Sequence, residues 1–411
     1  MNFEKFKCVL KLGSIKINCT IAEVDENSLI KIIASSSIQS QGIHNGTIVN
    51  LSEATKAIRI CVSEAESKAN VVLKKINIVF EMPEFVCTRL SKYKKFDGSK
   101  IHKEDIDFLL KEAKKEVSLN DPKKNIIHIF NHNYLVDGKE FIKEPIDVYA
   151  DFMSHEITFV SIPKNVIKNI NQIFIDCDLE VERFISETFA LAVNYFSVNE
   201  LKFGCALVDI GYEKTSIGIF NNIALINSIS FPIGINHVSK DISKVCSLSL
   251  SESEDIKNQI GCSLWKNDIS SKKDDGLPRE FFKNSKYRKI SKSLVSEVII
   301  ARIKDILEIV KKEVHFTRLK LTSGKKIFIV GGGSYLINLQ EFCEKFFAAD
   351  IKIINPPDVN NKSTTNDYTF DSCYGALKVI FYGWETEAIP QVIDKKEKKW
   401  GFFSKILRNR T

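Results

Sequence analysis

The feature that most constrains this chain is an apolar run that ends in three glycines. Residues 326–330 read Lys-Ile-Phe-Ile-Val, and Gly331-Gly332-Gly333-Ser334 follow directly. A short, continuous apolar run is typical of a strand that is buried on both faces of a parallel sheet. Parallel strands need long crossover connections, which are usually helices, so the run predicts an α/β fold.

Two other glycine turns divide the chain into similar halves. The strand patterns over residues 8–24 and 205–220 each break once, at Gly13-Ser14 and at Gly211. These repeated units indicate a duplicated α/β fold with a cleft between two lobes. Helical periodicity predicts the connections, most clearly over residues 52–69, 164–177, 187–197, 238–246, 251–260 and 291–319.

The region from about residue 82 to 161 has a different character. It contains a charged helix over residues 103–117, opened by Ser99 or His102, and short strands near 126–130 and 148–150. We therefore expect a small α+β unit inserted into a larger one.

The positive charge is concentrated at one end of the chain. The net charge is +7, but residues 395–411 hold seven basic side chains and one acid, so this tail alone is +6. The remaining 394 residues are nearly neutral, which argues against a nucleic-acid-binding face. No apolar run reaches the roughly 20 residues that span a bilayer, and the N-terminus lacks a secretory signal, so we expect an intracellular protein.

Ten cysteines are scattered along the sequence without a CxxC pair, and no histidine cluster has metal-ligand spacing. Free cysteine behaves as a small hydrophobic residue. We expect buried, reduced thiols and no structural zinc site.

The glycine turns are candidates for binding phosphate. A hairpin turn can present backbone N–H groups and a hydroxyl to phosphate oxygens, and Asp209, beside Gly211, could hold a hydrated Mg²⁺. After residues 326–330, side chains are absent where a flat ligand would approach, and a helix expected to start there would favour an anion. The alternative for all three turns is ordinary turn formation or close backbone packing.

Four longer motifs carry a resemblance to a known family. Residues 40–51 read SQGIHNGTIVNL, residues 134–138 read YLVDG with IKEP at 142–145, and residues 254–257 read EDIK. A later helix carries Glu297, Ala301-Arg302 and Glu308. Over nearly its whole length, the chain resembles the FtsA family of bacterial cell-division proteins, within the actin-like ATPase superfamily.

The resemblance implies an actin-like, two-lobed fold of duplicated ribonuclease-H-like domains, with an inserted α+β subdomain and a C-terminal amphipathic helix. The implied division is a first lobe (1–82, 163–197), an inserted subdomain (83–162), a second lobe (198–237, 321–370) with its own subdomain (238–320), a helix closing the first lobe (371–382), a charged linker (383–399) and a membrane-binding helix (400–411).

The resemblance also implies an ATP site. The residues it assigns are Gly13, Ser14 and Lys16 in a first phosphate loop; Asp209, which is also the metal candidate, with Gly211, Lys214 and Thr215 in a second; and Lys257, Gly331, Gly332, Gly333 and Ser334 around the ribose and adenine. For Lys257, a solvated helix face is the alternative.

The phosphate loops depart from the family pattern. Lys11 stands where the family usually has an acid, and Tyr212, Glu213 and Lys214 replace two glycines and a hydroxyl residue. Losing the acid removes a Mg²⁺ anchor, whereas a lysine attracts phosphate by about 4 kcal/mol at an effective dielectric constant near 20. We expect weak or absent ATPase activity, because hydrolysis also needs a positioned water and a metal-stabilised leaving oxygen. Glu187 is expected to be a surface acid, with a role as a site carboxylate as the alternative.

The C-terminal segment predicts an interfacial helix. On a helical wheel its apolar side chains fall within about 160° of arc, and Ser404, Lys405, Arg408 and Asn409 fall opposite. Aromatic residues on one side, basic residues on the other and a polybasic lead-in are typical of a helix that lies on a membrane. The alternative is a helix that docks on a protein. The predicted membrane-binding residues are Trp400, Phe402, Phe403, Lys405, Ile406, Leu407 and Arg408.

The resemblance implies partners and a location. In this family the second-half subdomain receives the C-terminal tail of FtsZ, so Arg302 is a candidate to bind an acid of that tail. Pairing of Arg302 with Glu297 or Asp305 on its own helix is the alternative. We expect an adaptor that self-associates into filaments and contacts anionic lipids, FtsZ and other division proteins on the cytoplasmic face of the inner membrane at the septum.

Two rival functions share the fold. A sugar kinase or chaperone-type ATPase would need an acid at position 11 or a carboxylate base near the second phosphate loop, and Lys11 and Lys214 argue against it. A pilus-assembly adaptor of the PilM type lacks the amphipathic tail and the YLVDG–IKEP segment.

Overall fold

The computed structural model describes residues 6–263, 275–316, 326–354, 368–384 and 386–388. The chain forms two compact units, one of Met1–Gly204, Gly218–Ser230 and Thr365–Thr411, the other of Cys205–Ile217 and Phe231–Thr364. Within the described ranges, no helix combines the length and the apolar character that crossing a bilayer requires.

Between residues 6 and 204 the structure describes eleven strands and five helices. In chain order they are β1 (Lys7–Leu12), β2 (Lys16–Val24), β3 (Ile30–Gln39), β4 (Ile43–His44), β5 (Thr47–Ile48), α1 (Leu51–Ala69), β6 (Lys75–Phe80), β7 (Val86–Lys100), α2 (Lys103–Asn120), β8 (Lys124–Val136), β9 (Lys139–Phe141), β10 (Tyr149–Pro163), α3 (Lys164–Asp176), β11 (Glu180–Ser186), α4 (Glu187–Tyr195) and α5 (Val198–Phe203).

The described elements after residue 204 are again mixed. They are β12 (Cys205–Ile210), β13 (Thr215–Asn221), β14 (Ala224–Phe231), α6 (Ile235–Cys246), α7 (Leu250–Ile260), α8 (Lys292–Phe316), β15 (Ile327–Val330), α9 (Leu339–Phe347), β16 (Ile351–Ile353), α10 (Asp371–Tyr382) and β17 (Glu387–Ala388). The three larger sheets have the strand orders β11-β6-β1-β2-β3, β17-β8-β10-β7 and β14-β13-β12-β15-β16.

Helix α1 forms where the apolar periodicity predicts it. Its predicted apolar face is buried, and Asn50 caps its N-terminus by accepting a hydrogen bond from the Glu53 N–H at 3.2 Å. Asn70 ends the helix in the left-handed conformation, with φ of 52°. Apolar spacing and two asparagines therefore define both ends of this helix.

The predicted insertion is confirmed as an α+β subdomain. Strands β7, β8 and β10 form a sheet, and α2 packs on one face of it. Two buried apolar clusters lie beneath α2: Ile106, Leu109, Tyr134 and Met153 belong to one, and Ala113, Ile129, Ile157 and Phe159 to the other. His102, one of the two predicted start positions, precedes α2, and its backbone N–H donates to the Asp105 carboxylate at 2.8 Å.

Helices α4 and α10 of the first unit pack unusually closely. A Cβ atom on Gly375 of α10 would lie only 1.8 Å from the Ala190 carbonyl oxygen of α4. Glycine is unfavourable within a helix by about 1 kcal/mol relative to alanine, so close packing explains its presence here.

In the second unit, the predicted buried strand is confirmed. β15 pairs in parallel with both β12 and β16, and its four residues are at most 1% exposed. Glu252, in the first turn of α7, holds this helix to the following loop because its carboxylate accepts the backbone N–H groups of Asn284 and Ser285 at 2.7 and 2.9 Å.

All ten cysteines are free thiols, eight of them buried, which agrees with the expectation from the sequence. No group of three or more His, Cys, Asp or Glu side chains in the described ranges could hold a metal ion.

Candidate functional site

The first predicted phosphate loop connects β1 and β2 in the first unit. Gly13 and Ser14 are half-buried in the turn, and Lys16 is exposed at the start of β2. The two strands pair in antiparallel register from Lys7 opposite Ala22 to Leu12 opposite Ile17. The sequence prediction of a tight hairpin is therefore confirmed, while its role in binding stays a prediction.

Lys11, at the end of β1, forms an ion pair that the sequence did not reveal. Its ammonium nitrogen lies 2.5 Å from Oε1 of Glu187, and the two side chains are 22% and 5% exposed. The expectation that Glu187 is a surface acid is therefore wrong. Glu187 is the first residue of α4, where the helix dipole also favours a carboxylate.

The N-terminus of α4 is held firmly by its neighbours. The Ser186 hydroxyl accepts the Phe189 N–H at 3.3 Å and donates to the buried carboxylate of Glu81 at 2.7 Å. The same Glu81 oxygen accepts the Thr188 N–H at 3.1 Å. Because the residues on both sides of Glu187 are bonded in this way, the backbone position of Glu187 is fixed.

The second predicted phosphate loop lies between β12 and β13, in the second unit. It is closed by a hydrogen bond from the Gly211 N–H to the Lys214 carbonyl at 2.9 Å, and the Gly211 and Tyr212 carbonyls accept N–H groups from the first turn of α6. Lys214 is buried and Tyr212 is 39% exposed. The Thr215 hydroxyl donates to the Ile233 carbonyl at 2.7 Å.

The three glycines after β15 have different environments. Gly331 has φ of +84°, and a Cβ there would lie 2.1 Å from Oδ1 of Asp209. A Cβ on Gly333 would lie 2.3 Å from Cγ2 of Ile210, whereas a Cβ on Gly332 would meet nothing within 4 Å. Close packing therefore accounts for two of the glycines, and only Gly332 borders open space.

The expected helix after the glycines is wrong. A single 3₁₀ turn, Gly332–Tyr335, follows them, and α9 begins only at Leu339. Ser334 stabilises this turn, because its hydroxyl donates to the Gly331 carbonyl at 2.7 Å. A run of three glycines has too little helix propensity to start an α-helix directly.

Lys257 on α7 is 1% exposed, which excludes the solvated helix face given as its alternative. Its ammonium donates to Glu254 at 2.6 Å, and Glu254 also accepts a hydrogen bond from Ser239 of α6. Burial lowers the pKa of Lys257, and the Glu254 carboxylate partly offsets that effect. The three-residue spacing is the one signal in the sequence that could have indicated this pairing.

Arg302 on α8 has two acidic neighbours. It donates to Asp241 of α6 at 2.7 Å and to Asp305 of its own helix at 3.2 Å. The pairing with Asp305 confirms the intrahelical alternative, and the bond to Asp241 across two helices was missed.

Residues 383–399 were predicted to be a charged linker, but the first part of this segment is packed against the rest of the first unit. Glu387 and Ala388 form β17, which pairs antiparallel with β8 of the inserted subdomain. The Glu387 side chain is 2% exposed and accepts hydrogen bonds from Nδ1–H of His128 at 2.5 Å and from the guanidinium of Arg183. Burial alone would raise the pKa of Glu387, but Arg183 and His128 hold it at about 2.

Other contacts secure the same segment. Trp384 donates its indole N–H to the Ile223 carbonyl at 3.1 Å and packs edge-on against Phe189. The Thr386 carbonyl accepts the Asn131 N–H at 2.7 Å. Residues 395–411, with every predicted membrane-binding side chain from Trp400 to Arg408, lie outside the described residues.

Comparison with known proteins agrees with this architecture. The sequence model described as cell division protein FtsA matches residues 206–371, and the model described as the SHS2 domain inserted in FtsA matches residues 85–161. Together they cover more than half of the chain, including the inserted subdomain.

Similar full-length proteins carry the same description. The cell division protein FtsA of Buchnera aphidicola subsp. Schizaphis graminum is 28% identical over 387 residues, which are 92% of this chain and 90% of that protein. FtsA of Streptococcus pneumoniae serotype 2 is 25% identical over 358 residues, 87% of this chain and 77% of its own.

Solved structures show the actin-like fold. The PilM–PilN type IV pilus biogenesis complex superposes with a TM-score of 0.61 at 12% identity, covering 90% of this chain and 96% of that one. MreB5 of Spiroplasma citri bound to ADP gives a TM-score of 0.51 at 15% identity, covering 92% and 96%. At these identities the likeness concerns the fold alone, whereas the sequence matches identify the relatives. The chain therefore belongs to the FtsA family of cell division proteins.

Proposed function

We propose that this chain is a membrane adaptor of the division machinery. It binds ATP with weak or absent hydrolysis, self-associates into filaments, and tethers FtsZ filaments to the cytoplasmic face of the inner membrane at the septum. Membership of the FtsA family supports the role in division.

The observation that carries the tethering proposal is the composition of the tail. Residues 395–411 hold a charge of +6, and residues 400–411 place five large apolar side chains on one side of a helical wheel. Each basic residue near an anionic leaflet contributes about 1 kcal/mol, and each fully buried apolar side chain about 1.5–3 kcal/mol. These contributions are large enough together to hold a 411-residue protein at a lipid surface.

Nucleotide binding is proposed for the glycine turns. The solved MreB5 structure of the same fold is bound to ADP. In this chain, Gly332 borders open space, and the turns at Gly13 and Gly211 lie at the ends of strands. On this proposal the nucleotide sets the readiness of the protein to polymerise instead of driving turnover.

Recruitment of FtsZ is proposed for the second unit. Arg302 has a side chain that is 26% exposed, with Asp241 and Asp305 as its present partners. A carboxylate of an FtsZ tail would compete with these acids for the guanidinium.

Two variants of equal charge test the membrane proposal. Phe403→Glu places an acid on the apolar side of the predicted helix, whereas Ser404→Glu adds the same charge on the polar side. In sedimentation with anionic vesicles, we expect Phe403→Glu to bind about a hundredfold less than the unmodified chain, because it loses a buried apolar side chain and gains a repelled charge. Ser404→Glu should lose only about fivefold, because it changes the charge alone.

Deletion of residues 400–411 should abolish sedimentation with the vesicles. The same vesicles should carry FtsZ filaments only when the full-length chain is present. If the truncated chain binds vesicles as strongly as the full chain, the tail is not the anchor and the tethering proposal fails.

A further inference from the structure

The Lys11–Glu187 pair bears directly on which form of nucleotide this chain can accept. The ammonium lies at the end of β1, immediately before the first predicted phosphate loop, and 2.5 Å from the Glu187 carboxylate. The carboxylate is nearly buried, and the lysine remains partly exposed toward solvent. The Lys11 ammonium is therefore a cation beside the first predicted phosphate loop, and its counter-ion is Glu187, the first residue of α4.

A divalent cation does not fit beside this pair. Mg²⁺ needs near-octahedral oxygen coordination at about 2.0–2.1 Å, usually with a carboxylate as its protein anchor. The Glu187 oxygen that would serve is occupied by the Lys11 ammonium at hydrogen-bonding distance. A metal ion bound there would also stand next to a second positive charge.

The surroundings keep the pair in place. Ser186 and Thr188, on either side of Glu187, are both bonded to the buried Glu81 carboxylate. Lys11 lies in the middle of the sheet, because β1 pairs with β2 on one side and with β6 on the other. The backbone of Lys11 is therefore held by two neighbouring strands, and the backbone around Glu187 is held at the start of α4.

We infer that this chain binds its nucleotide free of divalent metal, with Lys11 as the resident cation that faces the phosphates. Glu187 serves as the counter-ion of Lys11, so this carboxylate is not available to orient a hydrolytic water. The inference rests on the proposed nucleotide binding, and it adds that the ligand is the metal-free triphosphate and that Lys11 determines this specificity.

Nucleotide titrations with a fluorescent ATP analogue, in EDTA and in Mg²⁺, test the inference. The unmodified chain should show affinities that agree within about twofold in the two conditions. Lys11→Asp restores an acid at this position, so binding should become about tenfold or more tighter in Mg²⁺ than in EDTA. A tenfold preference of the unmodified chain for Mg²⁺ would overturn the inference.

Lys11→Met provides a second variant in case the aspartate disturbs the sheet. It removes the cation without adding a metal ligand, so we expect about tenfold weaker binding in both conditions. Unchanged affinity of a folded Lys11→Met chain in EDTA would show that the lysine does not face the phosphates, which would also overturn the inference.

A measurement without nucleotide separates this inference from the proposed function. Electron paramagnetic resonance of added Mn²⁺ should detect a bound ion in Lys11→Asp, where the introduced carboxylate and Glu187 would face each other, and none in the unmodified chain. If no nucleotide binds in any condition, the proposed function fails, while the Mn²⁺ result still decides whether Lys11 excludes the metal. Equal Mn²⁺ binding by both chains would contradict the exclusion.

Discussion

Single residues decide whether the triple glycine serves packing or binding. Gly331 and Gly333 lie against Asp209 and Ile210, so these two glycines are required by the fold. Gly332 has no heavy atom within 4 Å of where a Cβ would stand, so its lack of a side chain needs another reason. Close approach of a flat ligand is the reason that the proposed function supplies.

We predict that Gly332→Ala leaves the melting temperature unchanged and weakens binding of an ATP analogue about tenfold, because the methyl group would fill the approach to the turn. Gly333→Ala is the matched control: its Cβ would lie 2.3 Å from Ile210, so thermal denaturation should show a loss of about 1–3 kcal/mol in unfolding free energy. A folded Gly332→Ala chain with full affinity would place the nucleotide elsewhere.

The burial and pairing of charged side chains could be predicted from the local sequence in some cases and not in others. Lys257 and Glu187 both look like solvated charges on amphipathic helices, yet both are buried and paired. Lys257 has its acid three residues away, a spacing visible in the sequence, whereas Glu187 pairs with a lysine 176 positions earlier. Only the tertiary fold brings such distant charges together.

Among elements, helices were predicted best. The helix expected over residues 291–319 is observed as Lys292–Phe316 in the described range, because its apolar period continues without a glycine or proline. Strand β3 was not predicted, since its centre reads Ala-Ser-Ser-Ser and resembles a loop. Its pairing with β2 along nearly the whole strand overrides that weak local preference.

The short strand β17 was not predicted either. A two-residue strand within a charged segment has no period to detect. Its stability comes from Glu387, whose partners His128 and Arg183 lie 259 and 204 positions earlier. The Ser186 N–H donates to Nε2 of His128 at 2.9 Å, so this ring carries its proton on Nδ1 and is neutral.

We predict that this strand weakens in acid. The pKa of Glu387 is held at about 2, below its ordinary value of 4.5, so its stabilisation is complete above pH 4.5 and is lost as the pH falls toward 2. Burial lowers the pKa of His128 on β8, so release of β17 lets this ring take up a proton below about pH 6.5 that it resists while β17 is docked. Both groups act in the same direction.

Hydrogen exchange at the Asn131 amide, which donates to Thr386, reports on this docking. Glu387→Gln should lower its protection factor about tenfold at pH 7 and should flatten the decline between pH 4.5 and 2. Glu140→Gln, at an exposed position of β9, is the control and should change neither. Equal protection in the Glu387→Gln and unmodified chains would mean that the carboxylate does not hold the strand.

For the whole molecule, the uneven charge distribution predicts salt-sensitive membrane binding. The body is nearly neutral and the tail carries +6, so electrostatic attraction to anionic lipid depends on the tail. Raising the salt from about 50 mM to about 500 mM shortens the Debye length from about 14 Å to about 4 Å.

We therefore expect the fraction of full-length chain that sediments with anionic vesicles to fall about tenfold over this salt range. Vesicles of zwitterionic lipid are the control, and their weaker binding should hardly respond to salt. Binding to anionic vesicles that is insensitive to salt would assign the attachment to the apolar side chains alone.

The position of Ala388 also limits how the protein can be oriented on a surface. The last described residues pair with strand β8 of the inserted subdomain, and eleven residues separate Ala388 from Trp400. Even fully stretched, such a segment reaches only about 40 Å. If Trp400 enters lipid, the β8 edge of the subdomain must stay within that radius of the bilayer, so each molecule would present the same side to the membrane.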